Sequence, residues 1–332
     1  KNVKISVLLL ATVGVIVSSF LMAKIIGLSF QTSFITSLLA GSIIASTDPA
    51  TIVPIFNQVK IDKKVKQTVI SESALNDATG AIMTVAVLSI IMGGQFSIEQ
   101  NIYNLGIMII VGIIIGLITG LVLLFLVNDS PQGIFKDYTP IISILSVIIA
   151  YEFSTYLGGS GYMSCFIVGL ITGNKQNFKM WLSQKHYDAD CSVAETLGTI
   201  CRMCIFIILG SQVQLDILIK YFIPSLISVL GLIFIVRPIC VLLCTLVDRN
   251  AKWNKKELLF MMWVRETGVI PAALCGIVTT MKVPGSEIIS SVVFMTISIT
   301  LILQGSTTKL LARKLGLLEV ENIEVSQVEN IK

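Results

Sequence analysis

Charge is scarce in this chain of 332 residues: Asp, Glu, Lys and Arg together make up 13 %, where a soluble globular protein carries about 25 %. That scarcity excludes a water-soluble globule. Histidine is almost missing, with His186 the single example. Seven cysteines are present, and Cys201–Cys204 form a CxxC while Cys240 and Cys244 stand one helical turn apart. All four lie in apolar runs, with no second CxxC and no neighbouring His, so they read as small buried hydrophobes and not as a zinc or redox centre. His186 reads as a solvated loop residue and not as a pH sensor. Phe178, Trp181 and the lysines around it suggest a helix lying on the inner membrane surface. No signal peptide precedes the first apolar run and position 1 is Lys and not Met, so further sequence is expected upstream.

What fills the chain is hydrocarbon. Hydrophobic residues make up 54 % and mean hydropathy is +0.88, the signature of a polytopic membrane protein. Apolar windows recur at 5–26, 33–57, 66–92, 104–127, 138–157, 160–174, 191–212, 222–247, 257–280 and 287–311, which predicts an all-α chain with about ten spans. If Lys1 is cytoplasmic, eighteen of the 24 basic residues fall in inner connections, Lys24, Lys220 and Lys282 fall outside, and Arg202, Arg237 and Arg265 lie within spans. The positive-inside rule then places both ends of the chain in the cytoplasm. The net charge of +4 is explained by inner loops facing anionic lipid, and nothing in it asks for nucleic acid. Residues 1–318 read as the transmembrane domain and 319–332 as an acidic cytoplasmic tail.

Ionisable groups at membrane depth are costly and so mark function by default. Here they are Asp48, Glu72, Asp77, Glu195, Arg202, Arg237, Arg265 and Glu266. In SESALNDATG (71–80), a helix entering near Lys66 carries Glu72 about 9 Å and Asp77 about 17 Å inward. Ser73 shares a face with Asp77, and Asn76 shares one with Glu72. The deepest point of this polar strip is a single carboxylate. Helix-packing glue explains Asn76 and Ser73 equally well, but glue does not require the charge of Asp77.

Two spans carry breaks. GSIIASTDPATIVPIF (41–56) contains Pro49 and Pro54, and WVRETGVIPAALCG (263–276) contains Gly268 and Pro271. Interrupted spans in opposite halves of a chain point to a midplane binding site between inverted repeats. Asp48 is placed to offset the positive end of a broken helix, and a basic side chain to offset the negative end. Glu72 is expected to pair with Arg237 or Arg265, the former favoured.

STDPA (46–50), ESALNDATGAI (72–82), RP (237–238), RETGVIPAAL (265–274) and LQGSTTKLLARKLGL (303–317), taken in order, resemble the monovalent cation/proton antiporters, in particular the NhaP-like and animal sodium/proton exchanger branch. The resemblance implies an inverted-repeat fold of about thirteen spans with two crossed, interrupted helices, the present chain beginning around the fourth. It implies a homodimer in the cell membrane, exchanging Na⁺, or K⁺ or Li⁺, for H⁺, with no cofactor and no enzymatic reaction. Asp77 looks like the carboxylate that binds cation or proton. Thr47 and Ser73 look like accessory oxygen ligands, Asp48 like the acid at the crossing, and Glu72 with Arg237 like the structural ion pair, with Arg265 a further candidate for compensation. Asn76, where another branch has a second Asp, resembles the electroneutral exchangers. The sequence departs from the pattern at Glu266, where many relatives have Gly or Leu followed by RG, and at Arg202, in a stretch that is usually apolar.

Other readings make different demands. A channel would present a ring or filter instead of two interrupted spans. An intramembrane aspartyl protease has Asp48 and Asp77 available, but no Gly-x-Gly-Asp surrounds either. A K⁺-selective efflux antiporter regulated by a cytosolic domain, or a non-transporting sensor on the same fold, shares all the motifs.

Overall fold

The computed structural model describes residues 3–48, 56, 61–93, 98–128, 134–175, 183–212 and 214–317. Pro49, Pro54, Phe178, Trp181 and the tail from 318 onward lie outside the described residues, and the readings made on them lie there too. Among the described residues the regular structure is helical: α1 (Lys4–Ala11), α2 (Val13–Phe30), α3 (Phe34–Ile43), α4 (Lys63–Ile91), α5 (Ile98–Val127), α6 (Thr139–Tyr156), α7 (Gly161–Gly173), α8 (Gln184–Gln212), α9 (Leu215–Lys220), α10 (Phe222–Gly231), α11 (Arg237–Val247), α12 (Lys255–Trp263), α13 (Val269–Thr280), α14 (Ser286–Ile299) and α15 (Ser306–Leu315). Among the described residues, seven helical stretches are long and apolar enough to cross a membrane, and α3, α7 and α13 are shorter apolar helices. The last three are short for different reasons. The helix α13 is parted from α12 by a non-helical break, and α3 ends at Ile43, just ahead of residues that lie outside the described ones.

Local chemistry sets the helix ends. Asp62 caps α4, its Oδ1 accepting from the N–H groups of Lys64 (2.9 Å) and Val65 (3.2 Å). Asn254 and Glu257 form a capping box at the start of α12. Such caps satisfy N–H groups that a helix leaves unbonded at its first turn, each contributing about 1 kcal/mol. Two π-helical stretches interrupt longer spans, Leu232–Val236 before α11 and Thr300–Gly305 between α14 and α15. Pro238 explains the first: it has no N–H to return to the preceding turn, and the wider turn just upstream absorbs the mismatch. Near the second, the Thr296 and Thr300 hydroxyls donate back to the carbonyls of Val292 (2.7 Å) and Thr296 (2.8 Å), a pattern that bends helices.

The helices fall into two packed groups. Helices α5, α6 and α7 pack on one another around Leu123, Val127, Ala150 and Val168. Most of the remaining helices surround a larger core in which Met22, Ile26, Leu39, Ile43, Leu232, Val236, Val278 and Val292 are buried. The long helix α8 touches α6 in the first group and α13 in the second. Most of its length is exposed, including Glu195, Cys201 and Cys204. This corrects the reading of Cys201 and Cys204 as buried; Cys240 and Cys244 are buried. His186 also lies on α8 and not in a loop, with Nδ1 3.1 Å from Ser183 Oγ and Nε2 3.5 Å from Asp137 Oδ1.

Candidate functional site

The site lies where α3 ends, where α13 begins, and where both meet the polar strip of α4. After Ile43 the helix unwinds, and Thr47 and Asp48 are non-helical. The matching break runs from Val264 to Gly268, between α12 and α13. The two breaks are joined by their backbones, the Asp48 N–H donating to the Glu266 carbonyl at 2.9 Å. Gly268 permits this approach. A Cβ there would collide with the side chain of Asp48.

Each broken end meets a side chain of the opposite sign. The Asp48 Oδ2 accepts from the Val269 N–H at 3.1 Å, at the positive N-terminus of α13. One terminal nitrogen of Arg265 donates to the carbonyls of Ile44 and Ala45, both at 2.8 Å, just beyond the negative C-terminus of α3. These side chains supply partners that the missing helical turns would have supplied, which makes irregular backbone tolerable at membrane depth.

Helix α4 holds the other side of the crossing. Asn76 and Thr47 exchange two hydrogen bonds: Asn76 Nδ2 donates to Thr47 Oγ1 at 2.8 Å, and the Thr47 N–H donates to Asn76 Oδ1 at 3.2 Å. The Ser73 hydroxyl donates to the Thr47 carbonyl. Asp77 comes one residue after Asn76, half-buried, with Ser46 and Asp48 as its electrostatic neighbours. Its Oδ1 is shielded from solvent and has no hydrogen-bond partner among the described residues. Thr47, Ser73, Asn76 and Asp77 are therefore gathered at one place, bringing a carboxylate together with hydroxyl and carbonyl oxygens, the donor types that a hard monovalent cation takes.

Glu72 faces away from this point. It forms a two-pronged ion pair with Arg237, whose second terminal nitrogen lies 3.1 Å from Glu72 Oε2, while Arg237 Nε donates to the Met261 carbonyl at 3.1 Å. Both residues are almost fully buried. Arg265 is not the partner of Glu72, because it is turned to the end of α3. A narrow polar cavity between them is lined by Ser18, Glu72, Asn76, Arg237 and Arg265. Among the described residues no ion pair joins Glu195 to Arg202. The sequence reading did not single out Ser46 within its STDPA motif, and it missed the carbonyls of Ile44 and Ala45 because a backbone acceptor leaves no trace in residue type.

Comparison with known proteins gives the same arrangement a context. Residues 1–314 match the family described as sodium/hydrogen exchanger, transmembrane. Among curated relatives, Na(+)/H(+) antiporter 1 of Methanocaldococcus jannaschii is 29 % identical over 90 % of this chain and 72 % of its own length. K(+)/H(+) antiporter NhaP2 of Shewanella oneidensis is 26 % identical over 92 % of this chain and 51 % of its own length. The chain thus spans between about half and three quarters of these relatives. The solved structure of the sodium proton antiporter MjNhaP1 from M. jannaschii superposes with a TM-score of 0.80, at 27 % identity, covering 93 % of this chain and 78 % of that one. By its motifs, its crossed helix breaks and this match, the chain belongs to the sodium/hydrogen exchanger family.

Proposed function

We propose that this protein exchanges a monovalent cation, Na⁺ or K⁺, for protons across the cell membrane, with Asp77 as the group that carries both. The observation that carries the reading is the position of Asp77, whose shielded Oδ1 has no partner among the described residues beside a Thr47–Asn76–Ser73 cluster of oxygen ligands. Ionised Asp77 binds a cation together with these oxygens. Protonated Asp77 is neutral and no longer has the charge that holds a cation, so the two ligands exclude one another. A bare carboxylate is costly in the hydrophobic barrier, so the crossing moves only when one ligand neutralises it. Exchange without leak follows from that single condition, and direction follows from the gradients.

Asn76 adds an amide and no second charge, which supports one cation for one proton. The excess of basic residues in alternate connections supports an orientation with both ends of this chain cytoplasmic, and the family resemblance of the motifs supports a homodimer. The test is proton movement in liposomes holding the full-length protein, with Na⁺ and K⁺ added separately, for wild type and Asp77→Asn. Cation-triggered proton flux absent from Asp77→Asn is the expected result, and it names the ion. Full flux in Asp77→Asn overturns the role given to this residue.

A further inference from the structure

The α13 break bears a second set of polar groups that the exchange mechanism does not use. Glu266 is completely buried, and neither of its carboxylate oxygens has a hydrogen-bond partner among the described residues. The same holds for the Thr267 hydroxyl and for both amide atoms of Gln304, residues 0 % and 1 % exposed. These groups come from two elements in direct contact. The Thr267 N–H donates to Thr300 Oγ1 at 3.2 Å, and Glu266 Oε1 lies 3.2 Å from where a Cβ on Gly305 would stand. Thr300 and Gly305 are the two ends of the π-helical stretch. In a stretch bonded i to i+5, the residues four and five beyond Thr300 return to its side. Gln304 and Gly305 therefore share the face that meets Glu266 and Thr267, and glycine at 305 leaves the carboxylate room.

A buried carboxylate with no partner is not stable in its ionised form unless a positive charge joins it. Protein cations do not supply one: Glu266 is in no ion pair among the described residues, Arg237 is engaged with Glu72, and Arg265 is turned to the end of α3. Four of the five atoms without partners are oxygens, the ligand type hard cations take. One carboxylate balances one positive charge, because the nearby Asp48 is engaged with the N-terminus of α13. We infer that Glu266, Thr267 and Gln304 form a second monovalent-cation site, set against the π-helical stretch and separate from Asp77. Its occupant ties the α13 break to the α14–α15 span and holds the crossing rigid.

The inference rests on the antiporter reading only in assigning the transported ion to Asp77, and its test is independent of transport. The thermal stability of the full-length protein in detergent is measured at one pH in NaCl, KCl and choline chloride at equal ionic strength. In Asp77→Asn, Na⁺ or K⁺ is expected still to raise the Tm over choline. That rise is expected to vanish in Asp77→Asn/Glu266→Gln. In Asp77→Asn/Thr267→Val, a milder change, the half-saturating cation concentration is expected to increase about tenfold, which corresponds to loss of one ligand worth about 1.4 kcal/mol. No cation effect in Asp77→Asn, or one that survives removal of the Glu266 charge, overturns the second site, the former meaning that Glu266 is neutralised by a proton alone. Flux surviving in Asp77→Asn would instead overturn the transport reading and leave this measurement intact.

Discussion

Arg237 grips both carboxylate oxygens of Glu72 while its Nε is tied to the Met261 carbonyl at 3.1 Å, so one guanidinium joins α4, α11 and α12. Removing one partner of such a pair leaves an uncompensated charge in the interior. Glu72→Gln or Arg237→Gln alone is expected to cost about 3–5 kcal/mol, whereas the double replacement restores charge balance and costs less than either. Unfolding in detergent, followed by size-exclusion profile against temperature, checks this. A double variant as unstable as the sum of the single ones would show that the pair is not coupled.

Gly268 is a second point of close approach. In Gly268→Ala the added methyl meets Asp48, and either the Asp48–Val269 bond or the Asp48–Glu266 backbone bond must yield. Overpacking of this kind costs about 1–3 kcal/mol. The protein is expected to fold, since only the crossing is strained, but to exchange at least about tenfold more slowly. Flux per folded protomer in proteoliposomes is the measurement, and unchanged flux would mean the crossing is not rigid.

Asn76 holds Thr47 with an amide that donates and accepts at once. Asp in its place keeps the acceptor and loses the donor, and puts a second titratable group beside Asp77. Wild-type exchange is expected to be indifferent to an imposed membrane potential. In Asn76→Asp the remaining activity is expected to respond to it, because the charge carried per cycle changes. Potassium–valinomycin clamps on Na⁺-driven exchange distinguish the two.

How much of this could be read beforehand depends on the kind of signal. The helical spans were legible because about twenty apolar residues are a one-dimensional property. The Gly268 break was legible as a backbone exception within such a run. Asp77 and Glu72 stood out because charge is rare there. The choice between Arg237 and Arg265 as partner of Glu72 was not fixed by depth alone. It is settled in three dimensions by Arg265 turning to the carbonyls of Ile44 and Ala45, acceptors that every residue possesses. The grouping of Glu266 with Gln304 was invisible for a related reason: 38 positions separate them, and an amide in an apolar run resembles ordinary packing glue. His186 and Cys201 were misplaced because a helix can begin in polar sequence and can leave most of its length exposed.

The last expectation concerns pH. If one carboxylate serves both ligands, protons act as a competitive inhibitor of the cation. As pH falls, the protonated fraction of Asp77 rises, and the cation must be raised to recover half-maximal exchange. Below the titration of Asp77 the cation KM is expected to increase about tenfold per pH unit, while the maximal rate at saturating cation is unchanged by that protonation. A regulatory group elsewhere would act with the opposite signature, lowering the maximal rate and leaving KM alone. Initial rates over a grid of pH and cation concentration separate the two. Replacing Ser73 by Ala, which removes the hydroxyl that holds the Thr47 carbonyl, is expected to raise KM at every pH without altering the slope of that dependence, because it weakens the cation's oxygen shell and leaves the proton's site on Asp77 in place.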